Sequence, residues 1–267
     1  MQEQFVIKSD NTVSISSCTL ALLAGNDYFS YAIYSDDNNL HELKRFYLQQ
    51  TTAGKLSEII NANPVLNEGF GDIVTAFDFD TNTLLPVDLN TGDNTPLLYL
   101  NEAGQQDHII HEVVKEWGLA NVYSIPYDLL NSVLTHFPSS KFWHAQSVQM
   151  KHAGKNIQEG CINLELRDKR FNVTVSKEDQ LLLAKTYSYN APADVLFYLL
   201  KICETFGLDQ ETVQLSISGL IDRNSALFKT LYDYFIHISF KEASWQQTGE
   251  YPAHYFTLLN RLALCES

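Results

Sequence analysis

The chain is 267 residues long, with 45% apolar and 12% aromatic side chains, enough to build a packed core and to exclude a disordered polymer. It carries 32 acidic against 18 basic residues, a formal net charge of −14. That balance argues against a protein whose main partner is nucleic acid or an anionic membrane surface.

The opening MQEQFVIKSDNTVSISS has no basic segment followed by an apolar run, so it reads as a polar arm and not as a secretory signal. Residues 17–34, SCTLALLAGNDYFSYAIY, are two alternating segments around a Gly-Asn-Asp turn, a hairpin signal. A second turn at 35–39 leads to a third strand over 40–49. A helix is predicted over 54–63, stopped by Pro64, and GDIVTAFDFD (71–80) reads as another strand. TLLPVDL (83–89) follows, then a hairpin over 108–125 turning near Trp117-Gly118. An amphipathic helix is predicted over 126–137, with Leu129, Leu130, Val133, Leu134 and Phe137 as its apolar stripe.

From Gly160 the order starts again. GCINLELRD alternates Cys161, Asn163 and Glu165 against Ile162, Leu164 and Leu166. The turn RDKR (167–170), the strand FNVTVS, a turn at 177–179 and the strand QLLLAKTYSY (180–189) follow. A helix begins near Pro192 and stops at Gly207, and ETVQLSISG (211–219) is the next strand. Asn224 or Asp222 is expected to cap a helix over 225–235. A short strand at 236–240 and a closing helix over 253–265 complete the chain.

Both halves therefore read strand, strand, strand, helix, strand. Cys18 and Cys161 hold the same place at an offset of 143 residues, as do Tyr28 and Phe171. The expectation is an α/β protein of two tandem ribonuclease-H-like units: 1–155 with an inserted hairpin and helix, and 156–267. Two such units form the architecture of the actin, hexokinase and Hsp70 superfamily, where a nucleotide sits between the units. That step is fold analogy and does not by itself give a function. The charge is uneven: residues 1–156 hold 8 basic and 18 acidic side chains, a net of −10.

The segments SGLIDRNSALFKTLYDYF (218–235) and YPAHYFTLLNRLALCES (251–267) resemble a mainly Bacteroidota family of unknown function with an actin-like ATPase fold. Gly219, Ser225, Leu227 and Tyr234 carry the likeness in the first segment. Pro252, His254, Tyr255, Phe256, Leu259 and Cys265 carry it in the second. The resemblance covers nearly the whole chain and implies a fold without an activity.

An active ATPase of this fold needs small, donor-rich turns that let backbone N–H groups reach phosphate, with an aspartate to order magnesium. The first turn, Ala24-Gly25-Asn26-Asp27, keeps a glycine and offers Asp27, but lacks the hydroxyl residue. The second, Arg167-Asp168-Lys169-Arg170, offers Asp168 without a glycine and reads as a solvated hairpin tip. The segment Ser216-Ile217-Ser218-Gly219 has one glycine where an adenosine loop would show two, with Leu220 in the second place. Asp27, Asp168 and Gly219 are the candidate cofactor-binding residues. ATP with magnesium is the cofactor they would serve.

Other chemistry is weaker. His108 and His111 are three apart, with Glu112 adjacent, but their segment reads as a strand that turns them to opposite faces. His144 and His152 lack a ligand partner at metal spacing. Asp72, Asp78 and Asp80 are expected to protect an exposed strand edge. A nuclease of this fold would carry a carboxylate inside its first strand, where Leu20 and Leu22 stand in one half and Asn163 and Glu165 in the other. The aromatics around Tyr28–Tyr47 suit cross-strand packing. Four cysteines without close spacing suit reduced, packed thiols. No run approaches the ~18 apolar residues of a membrane span. A cytoplasmic protein without membrane insertion is expected.

The sequence thus points to a degenerate actin-like protein without catalytic or metal-binding residues, working as a binding or scaffold protein for another protein. The alternative is a noncanonical ATP-binding protein, an ATPase or small-molecule kinase, using the space between its units.

Overall fold

The computed structural model describes residues 2–9, 13–35, 37–93, 107–246 and 249–265. Their contacts divide into two compact units. Unit one comprises Met1–Val148, Trp245–Glu250 and Leu262–Ser267; unit two comprises Gln149–Ser244 and Tyr251–Arg261.

Unit one is built on a six-stranded sheet. Its strands are β1 (Gln2–Lys8), β2 (Thr19–Gly25), β3 (Tyr28–Tyr34), β4 (Leu40–Tyr47), β5 (Asp72–Asp78) and, later in the chain, β9 (Lys141–His144). The spatial order is β1-β4-β3-β2-β5-β9. β2, β3 and β4 are antiparallel neighbours, and β5 and β9 run parallel to β2. Every residue of β2 and β3 is buried, so these central strands read as near-continuous apolar runs. Helix α1 (Ala53–Ala62) starts at Thr52, whose hydroxyl accepts the Lys55 N–H, and turns Leu56, Ile59 and Ile60 inward. They pack with Leu20, Leu22, Phe29 and Tyr31 and with Leu129 and Val133 of α2 (Tyr127–His136).

An insertion between β5 and β9 forms a separate three-stranded sheet, ordered β6-β8-β7: β6 (Asn82–Pro86), β7 (Asp107–Val114) and β8 (Leu119–Pro126). Gly118 turns β7 into β8 at φ 62°, a left-handed position that suits glycine. This sheet is latched to the β9 end. Glu112 accepts the His144 backbone N–H at 2.7 Å, and Asn82 donates to Gln146 at 2.5 Å. Segments from far along the chain also belong to unit one. The Tyr34 hydroxyl donates to the Ala263 carbonyl at 3.2 Å, the Trp245 ring lies 5.6 Å from that of Tyr34, and Asn39 bridges Gln246.

Unit two carries five strands: β10 (Ile157–Leu166), β11 (Arg170–Glu178), β12 (Gln180–Ser188), β13 (Gln214–Gly219) and β14 (His237–Phe240). Their order is β12-β11-β10-β13-β14, with β13 and β14 parallel to β10. Without β1, the sheet of unit one repeats this order strand for strand. The fold is therefore mixed α/β, two ribonuclease-H-like units in an actin-like ATPase fold. Helix α4 (Pro192–Phe206) places proline at its first position. The Asp194 carboxylate accepts the N–H groups of Asn190 and Ala191, and Gly207 closes the helix in a left-handed conformation. Val195, Leu199 and Ile202 pack on Ile162, Leu164, Val173 and Ile217, with Leu231 of α5 (Ala226–Tyr232).

Several sequence expectations change here. The N-terminal arm is strand β1, an edge strand whose largely exposed residues hide any alternation. β9 and helix α3 (Ala145–Lys151) are too short, at four and seven residues, to show a period. β5 is no sheet edge: it lies between β2 and β9, and Asp78 is buried. Ser225, not Asn224 or Asp222, caps α5, accepting the Phe228 N–H at 3.1 Å. The closing helix splits into a 3-10 turn at Ala253–Phe256 and helix α6 (Thr257–Ala263). All four cysteines are buried.

Candidate functional site

Three turns hold the candidate residues: β2–β3, β10–β11 and the loop after β13. In each sheet the last row of a parallel pair, β2 with β5 and β10 with β13, contains one glycine. In unit one the row is Gly25 with Asp78; in unit two it is Leu166 with Gly219.

Asp27 is half-buried beside Gly25. The carbonyls of Asn26 and Asp27 are taken by the N–H groups of Thr51 and Leu48, at 2.8 and 2.7 Å. Tyr28 folds back over the glycine: a Cβ on Gly25 would lie 2.2 Å from its ring. That ring is fixed at both ends. Its hydroxyl donates to the buried Asp78 carboxylate at 2.6 Å, and the Arg45 guanidinium lies 3.9 Å over its face. Side chains of unit one thus cover the glycine that a phosphate would need to approach.

Asp168 sits with Lys169 at the exposed tip of the β10–β11 hairpin. The turn is closed by Arg167 N–H to the Arg170 carbonyl at 2.8 Å. Tyr189 braces it, donating its backbone N–H to Lys169 and its hydroxyl to the Arg167 carbonyl. Burial, with the nearby Asp168 charge, pushes the Tyr189 phenol pKa up. Gly219 adopts φ +82°, and a Cβ there would lie 2.1 Å from the Leu166 carbonyl oxygen. The same oxygen accepts the Leu220 N–H at 2.8 Å. The glycine is therefore explained by backbone meeting backbone. The fold brings Gly219 beside the base of the Asp168 hairpin, through Leu166; Asp27 belongs to the other unit.

The polar face of the unit-two sheet is a candidate set that turn motifs do not reveal. Cys161, Asn163 and Glu165 on β10 pair in rows with Ser176, Thr174 and Asn172 on β11, and with Gln214, Ser216 and Ser218 on β13. Ser218 donates to Glu165, and Arg167 stands 4.0 Å from the same carboxylate. The alternation in GCINLEL is the signal that marks this face.

His144 and His111 have structural partners. His144 donates from Nε2 to the Phe79 carbonyl at 3.0 Å and accepts the Gln146 N–H on Nδ1 at 3.2 Å. His111 meets Asn90 at 2.7 Å, and Lys141 lies 3.6 Å from Asp72. Among the described residues no three His, Cys, Asp or Glu side chains are placed to hold a metal ion, and no helix is long and apolar enough to cross a membrane.

Residues 8–238 match the model of the family described as Protein of unknown function (DUF3822). The chain belongs to that family. Among solved structures it is similar to a Bacteroides thetaiotaomicron protein with an actin-like ATPase fold and unknown function. The two share 16% identity with a TM-score of 0.79, covering 96% of this chain and 100% of that one. It is also similar to a chain of the PilM-PilN type IV pilus biogenesis complex, at 10% identity and TM-score 0.63, covering 92% and 97%. The ethanolamine utilization protein EutJ from Carboxydothermus hydrogenoformans follows at 9% and 0.52, covering 92% and 89%. These likenesses show the fold. A search of curated proteins finds no match.

Proposed function

We propose that the chain is a non-catalytic binding protein that uses an actin-like body to hold another protein. One observation carries this reading: the Tyr28 ring, tied to Asp78 and Arg45, lies over the turn glycine that phosphate chemistry would require free. Gly219 is likewise accounted for by the Leu166 backbone, and at the second turn the Arg167 N–H is spent on the Arg170 carbonyl. The occurrence of the same fold in the PilM-PilN complex is compatible with a role in protein assembly. Calorimetric titration with ATP and ADP, each with magnesium, tests the reading. A flat response is expected, together with recovery of a stable partner at native expression. Saturable binding would overturn it.

The second reading is ATP and magnesium binding through Asp27, Asp168 and Gly219. It is favoured by the exposure of Asp168 beside Lys169 at the hairpin tip, where both can meet solvent ions. Its test is whether Asp168→Ala weakens any saturable binding. Gly219 is unsuitable for that purpose, because substitution there strikes the Leu166 backbone.

A further inference from the structure

The sheet of unit one closes an edge that the sheet of unit two leaves open. β4 and β12 hold the same place in the two strand orders, outside β3 and β11. β1 pairs antiparallel along the outer edge of β4. Among the described residues no strand pairs along the outer edge of β12. The two strands match row by row. Lys44 stands opposite Tyr31 and Phe46 opposite Phe29; Lys185 stands opposite Val173 and Tyr187 opposite Phe171. Phe29 and Tyr31 pack toward α1, and Phe171 and Val173 toward α4. Each outer strand therefore carries a lysine, and an aromatic ring two residues on, along the helix-covered side of its sheet.

β1 answers the charges of β4. Glu3 lies 3.7 Å from the Lys44 ammonium, and Lys8 lies 3.7 Å from the Glu42 carboxylate. Lys185 has no such answer. It is exposed, its ammonium stands 5.9 Å from the Tyr187 ring, and among the described residues no carboxylate pairs with it. The backbone beside it faces outward. Tyr189 donates its N–H to the Lys169 carbonyl, and antiparallel bonds alternate, so Ala184, Thr186 and Ser188 turn their N–H and C=O groups away from β11. Residues 183–188 keep an unbroken register. Apolar surface flanks this edge: Tyr187 stacks on Tyr198 of α4 at 4.4 Å, and Phe197, 64% exposed, lies 5.7 Å from Tyr198. A lysine on an edge discourages indiscriminate pairing. Lys44 shows, in the same chain, that such a lysine accepts a strand that brings a carboxylate.

We infer that the outer edge of β12 takes an extended segment of a partner protein as an added antiparallel strand, with an acidic side chain set against Lys185 as Glu3 is set against Lys44. That the segment comes from another protein rests on the reading of the chain as a protein-binding protein. The open edge and the unanswered charge rest on the strand pairing alone. The β12 strand of a second copy is a poor occupant, because residues 180–188 contain no aspartate or glutamate and would offer Lys185 no counter-charge.

The probe is the chain's own covering strand, the blocked peptide acetyl-QEQFVIK-amide (residues 2–8), together with its Glu3→Lys form, titrated into the ¹⁵N-labelled full chain. The first peptide should shift the amide resonances of Ala184, Thr186 and Ser188 saturably and slow their hydrogen exchange. The Glu3→Lys peptide should bind roughly two- to fivefold more weakly, the range of an exposed ion pair. In a Lys185→Glu chain, altered at an exposed position, the order of the two peptides should reverse. Ala184→Pro removes one outward N–H and leaves the β11 ladder, and should abolish binding of both. No saturable change with either peptide, shifts that leave β12 unprotected, or an unchanged preference in Lys185→Glu would overturn the site. Protection of the same amides that rises with the concentration of the chain alone would overturn the partner segment in favour of a second copy. Nucleotide titration reads separately: ATP binding with intact strand pairing breaks the proposed function alone, and lost pairing with a flat nucleotide response breaks this site alone.

Discussion

The two sheets share one strand order and differ in what their second face is made of. In unit one the rows opposite the α1 side join Ala21 to Ala32 and Val74, and Leu23 to Ser30 and Ala76, so the face is small and mostly apolar. In unit two the corresponding rows join Asn163 to Thr174 and Ser216, and Glu165 to Asn172 and Ser218, all polar. Both faces are largely buried. The apolar period on one face is enough to specify the order of strands, and the other face is free to differ. The glycine has moved as well. It sits on β2 in unit one, where a side chain covers it, and on β13 in unit two, where backbone meets it.

The glycine rows are the sharpest place to break this comparison. Gly219→Ala should cost about 3 kcal/mol or more in urea unfolding, because the new Cβ meets the Leu166 carbonyl at a positive φ. Gly25→Ala should cost less, since Gly25 has no positive φ and the obstacle is a side chain and not backbone. Equal losses would mean that the two rows are equally rigid. Tyr28→Phe should cost roughly 1–3 kcal/mol by leaving the buried Asp78 oxygen without its hydroxyl donor.

The polar face gives a prediction of opposite sign. The Thr174 hydroxyl is buried with no hydrogen-bond partner, so Thr174→Val should be neutral or stabilising, by up to about 1–2 kcal/mol. A loss would show that a partner holds that hydroxyl in solution. Lys241, just after β14, supplies a pH test. Burial, with the Arg261 cation, pushes its pKa down from 10.5 to about 8. Between those values the unfolded chain binds the proton that the folded chain has released, so this group makes stability rise with pH. Cys203, pushed up to about 11 by burial and Asp209, works the other way above pH 9. The clean window is therefore pH 8–9, where Lys241→Met should flatten the rise by on the order of 1 kcal/mol. The smallest effect expected is Ser225→Ala, about 1 kcal/mol from loss of the α5 cap, measurable as a fall in Tm.

Most of the two units was legible in the sequence because their central strands alternate or run apolar, and proline or glycine brackets the long helix at 192–206. The missing pieces failed for physical reasons. β1 exposes its outer residues at a sheet edge, and β9 is four residues long. Asp78 looked like an edge charge because no sequence pattern announces that Tyr28, fifty residues earlier, donates to it. His254 was visible, but that its ring lies between the Ile221 carbonyl and Glu242, from different stretches of chain, was not. Asp27 and Asp168 were readable as turn residues. That their neighbouring carbonyls are already occupied was not.

The return of residues 245–250 and 262–267 to unit one has a consequence for synthesis. The sheet of unit one has all its strands once residue 144 has left the ribosome. The carbonyl of Ala263 that receives the Tyr34 hydroxyl emerges about 120 residues later, a delay of several seconds or more at ordinary elongation rates. Throughout that delay all of unit two is being made. The unit that is translated first is therefore sealed last, and a chain that stalls before residue 245 would present the nascent-chain machinery with a finished second sheet and an unfinished first unit.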